Sequence, residues 1–342
     1  VTSQTTPPPT DSTPSKRRGP KRRDVVFGLA TALTLTGVGV RKWMRTPTPE
    51  PDTTPFADYF TGRAPVMSEP TVDTEHVSTK SWGVRTFLTL EENTPVEDAI
   101  ALIQSAYTDL AANVEGLAHA TLLIGWNGTG PAGEDLYTAI DVDLVRPRSE
   151  LDFQCERLRV AAGLNQGAIS DITIPLETDD AIAISHIEAD SLPADAVLAP
   201  PAAADGTALA YEDRLGIGST SLTISATSDV DLSGVPLDAV LAALPGGAED
   251  PSREPIVTLD AVGPGYADGL PTIDIYEQDL SLDEAELILR AFDGAEGQHA
   301  IRLQVASPPD SEMRFLLTDG TLTQDPSWHT AEEEMADLLG RL

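Results

Sequence analysis

Polar and apolar residues alternate through SWGVRTFLTLE (residues 81–91), the pattern of a strand with one buried face. The period then lengthens. Val96, Ala99, Ile100, Ile103, Tyr107 and Leu110 fall on one side of a helix, and Thr94-Pro95-Val96-Glu97 supplies its start: Thr94 as N-cap, Pro95 in the first turn, Glu97 closing a capping box. Alternation returns in HATLLIGW (119–126) and YTAIDVDLV (137–145), which predict two strands around the turn-rich NGTGPAGED. A second helix runs from a Ser149 cap to about Leu164, and AISDITIPLETDDAIAISHIE (168–188) reads as a hairpin turning at Glu177–Asp180.

The same order recurs about 135 residues later. STSLTISATSD (219–229) is a strand, Pro236–Leu244 a short helix, and PIVTLDAV (255–262) and PTIDIYEQD (271–279) are strands. Ser281-Leu282-Asp283-Glu284 is a capping box that opens an amphipathic helix through Phe292, and AIRLQVA (300–306) with SEMRFLLTD (311–319) forms a hairpin. Each half thus reads β-α-β-β-α-β plus one strand. That order predicts an α+β protein of two tandem ferredoxin-like modules, residues 76–188 and 215–342, joined by an Ala/Pro-rich linker at 189–214. The second module closes with a C-terminal helix in TAEEEMADLLGRL, capped by Thr330 and Glu333. Its stripe of Met335, Leu338, Leu339 and Leu342 predicts docking on that module.

Ahead of this body the pattern changes. Residues 1–23 are Thr/Ser/Pro-rich and basic, too poor in apolar side chains to offset the entropy of folding, and predict a disordered tail. Residues 24–43 hold an apolar run whose positions Val25–Val40 are uncharged, with Arg22 and Arg23 before it and Arg41, Lys42 and Trp43 after it. As a helix those positions span about 24 Å against a hydrocarbon core of about 30 Å. Snorkelling of the flanking cations, with Trp43 at the interface, makes up the length. The run therefore predicts a single-pass membrane anchor, followed by a Pro/Thr-rich stalk at 44–75. Arg22-Arg23 also fits a twin-arginine export signal, although neither a small-residue cleavage site nor a lipid-bearing cysteine follows. Six basic residues between Lys16 and Arg23 outweigh the three that follow the run, which puts the N-terminus in the cytoplasm of a bacterial cell and the body outside.

Charge narrows the partners. Nine Lys/Arg against Asp11 and Asp24 make residues 1–45 +7, and with the chain at −33 residues 46–342 carry −40. A body this acidic repels nucleic acid and anionic headgroups, so no nucleic-acid partner is expected and membrane contact is left to residues 24–43. The single cysteine, Cys155, excludes an internal disulfide and a cysteine metal cluster. The five histidines lack metal-ligand spacing, and no nucleophile elbow or phosphate-cradling loop is present, so no catalytic residue, cofactor or metal site is expected. Asp229-Val230-Asp231-Leu232-Ser233-Gly234 imitates the start of a calcium loop, but Val240 stands where a bidentate Glu is required.

One carboxylate pair deserves a position on the map: Asp141 and Asp143, two apart on a strand and so on one side, with Asp274 and Tyr276 in matching places. In a cleft they could serve as acid and base on a glycosidic bond; on an open face they decorate a sheet. The expectation is a non-enzymatic, membrane-anchored envelope protein whose acidic two-module body is a protein-interaction, scaffold or sensor module with a protein partner outside the membrane. The alternative is an exported hydrolase or cation-binding protein that uses those surface carboxylates.

Overall fold

The computed structural model describes residues 48–78, 80–130, 133–164, 169–187, 192, 198, 200–245, 254–261, 270–277, 280–305 and 311–342. The tail, the 24–43 run and its flanks Arg22, Arg23, Arg41, Lys42 and Trp43 lie outside these residues. Among the described residues no helix is long and apolar enough to cross a membrane.

The first half of the body contains α1 (Thr54–Phe60), β1 (Thr71–Ser78), β2 (Ser81–Thr89), α2 (Val96–Asp109), β3 (His119–Thr129), β4 (Asp135–Asp143), α3 (Arg148–Ala162), β5 (Ile169–Ile174) and β6 (Ile182–His186). The second contains β7 (Ala210–Ile217), β8 (Thr220–Thr227), α4 (Leu237–Ala243), β9 (Ile256–Asp260), β10 (Thr272–Tyr276), α5 (Leu282–Arg290), β11 (Gln298–Val305), β12 (Ser311–Thr318), β13 (Thr321–Gln324) and α6 (Glu332–Arg341). The thirteen strands among the described residues stand side by side in chain order in one mixed sheet. Antiparallel hairpins (β1–β2, β3–β4, β5–β6, β7–β8, β9–β10, β11–β12) are joined to one another by parallel pairs, and β13 folds back antiparallel on β12. The repeat is ββαββαββ, twice.

This corrects the expectation of two separate ferredoxin-like modules. Two strands fall where a stalk and a linker were expected. The strand β1 occupies part of 44–75, and β7 begins inside 189–214 and pairs in parallel with β6, from Ile182 opposite Tyr211 to Ser185 opposite Arg214. That one parallel pair fuses the halves into a single sheet. The 44–75 segment also holds α1, whose Phe56 and Phe60, one turn apart, are buried in the first core.

The topology differs physically too. In a ferredoxin-like sheet each crossover skips a strand, which lets both helices lie on one face with right-handed crossings. Here each crossover reaches the adjacent strand. Helices α2 and α3 touch, as do α4 and α5, so each pair shares one face, while the strands they connect run in opposite directions. Successive crossovers must then alternate in hand, against the usual right-handed preference.

One face of the sheet is buried by the helices. Pairing carries a single row across it: Trp126, Thr138, Ile172, Ile184, Asp213, Ile224, Leu259, Ile273, Ile301 and Phe315, all buried. Beneath it lie two hydrophobic clusters, one ending at Tyr211 and the other starting at Leu215. The seam between them passes through Asp213 in β7. The expected docking of the C-terminal helix is seen: Met335 and Leu338 are buried in the second cluster and Leu339 packs against it.

Candidate functional site

The opposite face of the sheet carries the chemistry. Because side chains alternate along each strand, the row next to the buried one runs Asn127, Tyr137, Asp171, Ser185, Arg214, Thr223, Thr258, Asp274, Arg302 and Arg314. In the second half its charges are mutually satisfied. Arg302 holds Asp274 with two nitrogens, Arg314 donates to Glu312, and the Arg314 guanidinium stacks 3.6 Å from the centre of the Trp328 ring.

The first half is different. A row across β1–β4 places Thr71, Phe87, Leu123 and Asp141 side by side. Phe87 is 41% exposed and Tyr137, on the same face, 43%. Any side chain on Gly125 would overlap the Tyr137 ring, so glycine here lets the tyrosine lie flat across β3. Gly83 does the same for the His119 imidazole, beside which Glu75 pairs with Arg85 at 2.6 Å. Burial pushes the Asp141 carboxyl above its ordinary value. Burial, and then the nearby carboxylates of Asp171 and Asp141, raise the Tyr137 phenol. The result is a shelf of two exposed aromatic rings, a leucine and two carboxylates. Such a surface suits a lysine or arginine side chain, whose stem covers apolar area and whose head meets an aromatic face and an acid.

Asp143, the second member of the sequence pair, is engaged elsewhere. Its Oδ1 accepts the Ala120 N–H (2.9 Å) and the Val145 N–H (3.0 Å), closing the turn after β4. Asp141 therefore contributes to the shelf and Asp143 to the backbone. Asp274, the Asp141 counterpart, is neutralised by Arg302. In the calcium-like segment Asp231 Oδ1 accepts the Ser233 N–H (2.9 Å) and Leu232 is buried. Among the described residues no group of three or more His, Cys, Asp or Glu is placed to hold a metal ion. Cys155 is buried and its thiol is pushed up to about 11 by burial.

Two buried polar groups escaped sequence reasoning. Arg157 is 1% exposed and donates to Gln154 Oε1 (2.8 Å), the Glu177 carbonyl (3.1 Å) and the Asp180 carbonyl, tying α3 to the β5–β6 turn. Its signal was present: Gln154 and Arg157 follow Leu151 at three-residue steps on the buried stripe. The second group is His186 with Asp213 at the seam. His186 Nε2 lies 3.9 Å from Asp213 Oδ1, their side chains 1% and 3% exposed, and among the described residues neither ring nitrogen nor that oxygen has a hydrogen bond. Nothing in one sequence pairs a histidine at the end of one strand with an aspartate beyond a linker. No family model, curated protein or solved structure matches the chain.

Proposed function

We propose that the acidic body is a protein-interaction module, non-enzymatic, whose uncovered sheet face docks a basic segment of a partner protein. The observation that carries this reading is the shelf of Phe87, Leu123, Tyr137 and Asp141. Phe87 and Tyr137 stand exposed there on a face that no described helix covers, next to carboxylates that have, among the described residues, no neutralising cation of the kind Asp274 has. The −40 charge of residues 46–342 supports a basic partner through steering. The address that goes with it is the outer side of a bacterial membrane with the N-terminus inside. Its support is sequence alone, in the basic excess before residue 24.

A photo-crosslinking residue at position 137 in the full-length chain is expected to trap a protein adduct in cells. The same residue at exposed position 152 on α3 should trap none, and Asp141→Lys should abolish the adduct at 137. Equal adducts from both faces would remove the case for this surface. Protease added outside intact cells should remove the acidic body; full protection would sink the address without touching the docking face.

A further inference from the structure

The internal repeat identifies a second contact point. In the second half, the outer edge of the leading strand β7 is occupied: β6 pairs with it in parallel along Tyr211–Arg214. In the first half the leading strand is β1, which forms the same kind of hairpin with β2. Yet β1 is the edge of the sheet, and no described backbone group bonds to its outer side. One repeat thus uses an edge that the other leaves open.

We propose that the outer edge of β1 receives an extended, basic segment of a partner protein as a further strand, parallel to β1 in the way β6 is parallel to β7. This rests on the interaction reading above and names its geometry. Main-chain hydrogen bonds supply the affinity of such strand addition, and alternate side chains supply the selectivity. On the open face the edge presents Asp73, which is exposed, beside Glu75, which Arg85 holds; on the other lie Val72, packed against the first cluster, and Thr74, whose hydroxyl donates to Glu50. A matching segment carries Lys or Arg over Asp73, with small or apolar residues beside it, since Glu75 is already paired with Arg85. The edge is also continuous with the shelf, since Thr71 begins the row that runs through Phe87 and Leu123 to Asp141. One partner can therefore engage both.

A second copy of the chain is a poor occupant. A symmetric antiparallel β1–β1 pairing centred on Thr74 would set Asp73 against Glu75, and like charges directly opposite are destabilising. Acidic residues on an edge guard against such self-pairing, and the same charges favour a basic strand.

The test titrates the full-length chain with a capped eight-residue peptide of alternating Lys and Thr and follows amide hydrogen exchange. Slowed exchange in residues 71–78 is expected. It should be lost when alternate peptide nitrogens are methylated, and Asp73→Lys should weaken binding roughly tenfold. Asp73 is exposed, so that variant keeps the fold. Peptide binding that perturbs only Phe87, Tyr137 and Asp141 would overturn the edge proposal and leave the docking face standing. No binding at all would overturn both. Protection of β1 without peptide, in a concentration-dependent dimer, would make a second copy the occupant and overturn the proposal.

Discussion

At the scale of single residues, the seam pair is the sharpest departure from an ordinary core. Burial holds the Asp213 carboxyl above its ordinary value, with His186 opposing the shift. The unfolded value is about 3.9, so the folded state keeps the proton over a range where the unfolded chain has lost it. The Asp213 contribution is then full below about pH 3.9 and is lost as pH rises through the raised value. His186→Leu should accordingly cost about 3–5 kcal/mol at a pH well above the raised value, where it strands a buried carboxylate, and less at a pH below about 3.9, where the proton covers that charge. Replacing both, His186→Leu with Asp213→Val, should be neutral or stabilising by about 1–4 kcal/mol. Urea unfolding at the two pH values measures both, and a cost for His186→Leu that is independent of pH would show that Asp213 does not need its neighbour. Legibility at this scale follows distance along the chain. The shared side of Asp141 and Asp143 was readable from strand period, but the Asp143 bond to Ala120 depends on a neighbouring strand.

At the scale of elements, helices and apolar strands were legible because burial on one face imposes a period. The caps were less so. Ser281 makes the full capping box, with its Oγ accepting the Glu284 N–H and its own N–H donated to Glu284 Oε2. Thr94 instead donates to the Glu91 carbonyl (2.6 Å) and α2 begins after Pro95; α3 begins after Pro147, ahead of Ser149. The last helix starts from Ala331 in a left-handed conformation, with no side-chain cap from Thr330. Ser281→Ala should therefore cost about 1 kcal/mol and Thr330→Ala close to nothing, a contrast that thermal melts of the two variants will resolve. The missed strands have a common cause. Edge strand β1 buries little, so TVDTEHVS lacks a strong apolar series, and β7 places Asp213 in the middle of its buried series, so AYEDRLGI reads as a charged connection.

At the scale of the whole body, one sheet lies over two hydrophobic clusters that meet at one strand. Phe292 is wholly buried in the second cluster, and Phe292→Ala should cost about 3–5 kcal/mol. Hydrogen exchange should place the lost protection in β8–β12 and spare β2–β5; an equal loss in both halves would mean that the β6–β7 pair couples them fully. The two-fold repetition was legible from element order, whereas the fusion was not, because a parallel pair across a polar linker leaves no periodic trace. Strict chain order in the sheet has a further consequence, for biogenesis. Every strand pairs only with its immediate neighbours in sequence, so each new hairpin can add to an edge already built while synthesis proceeds, with short loop closures and no waiting for a distant segment. Until β13 and α6 arrive, the growing end is always a strand with one open edge, and a nascent chain stalled before residue 321 would be the form most exposed to misassembly.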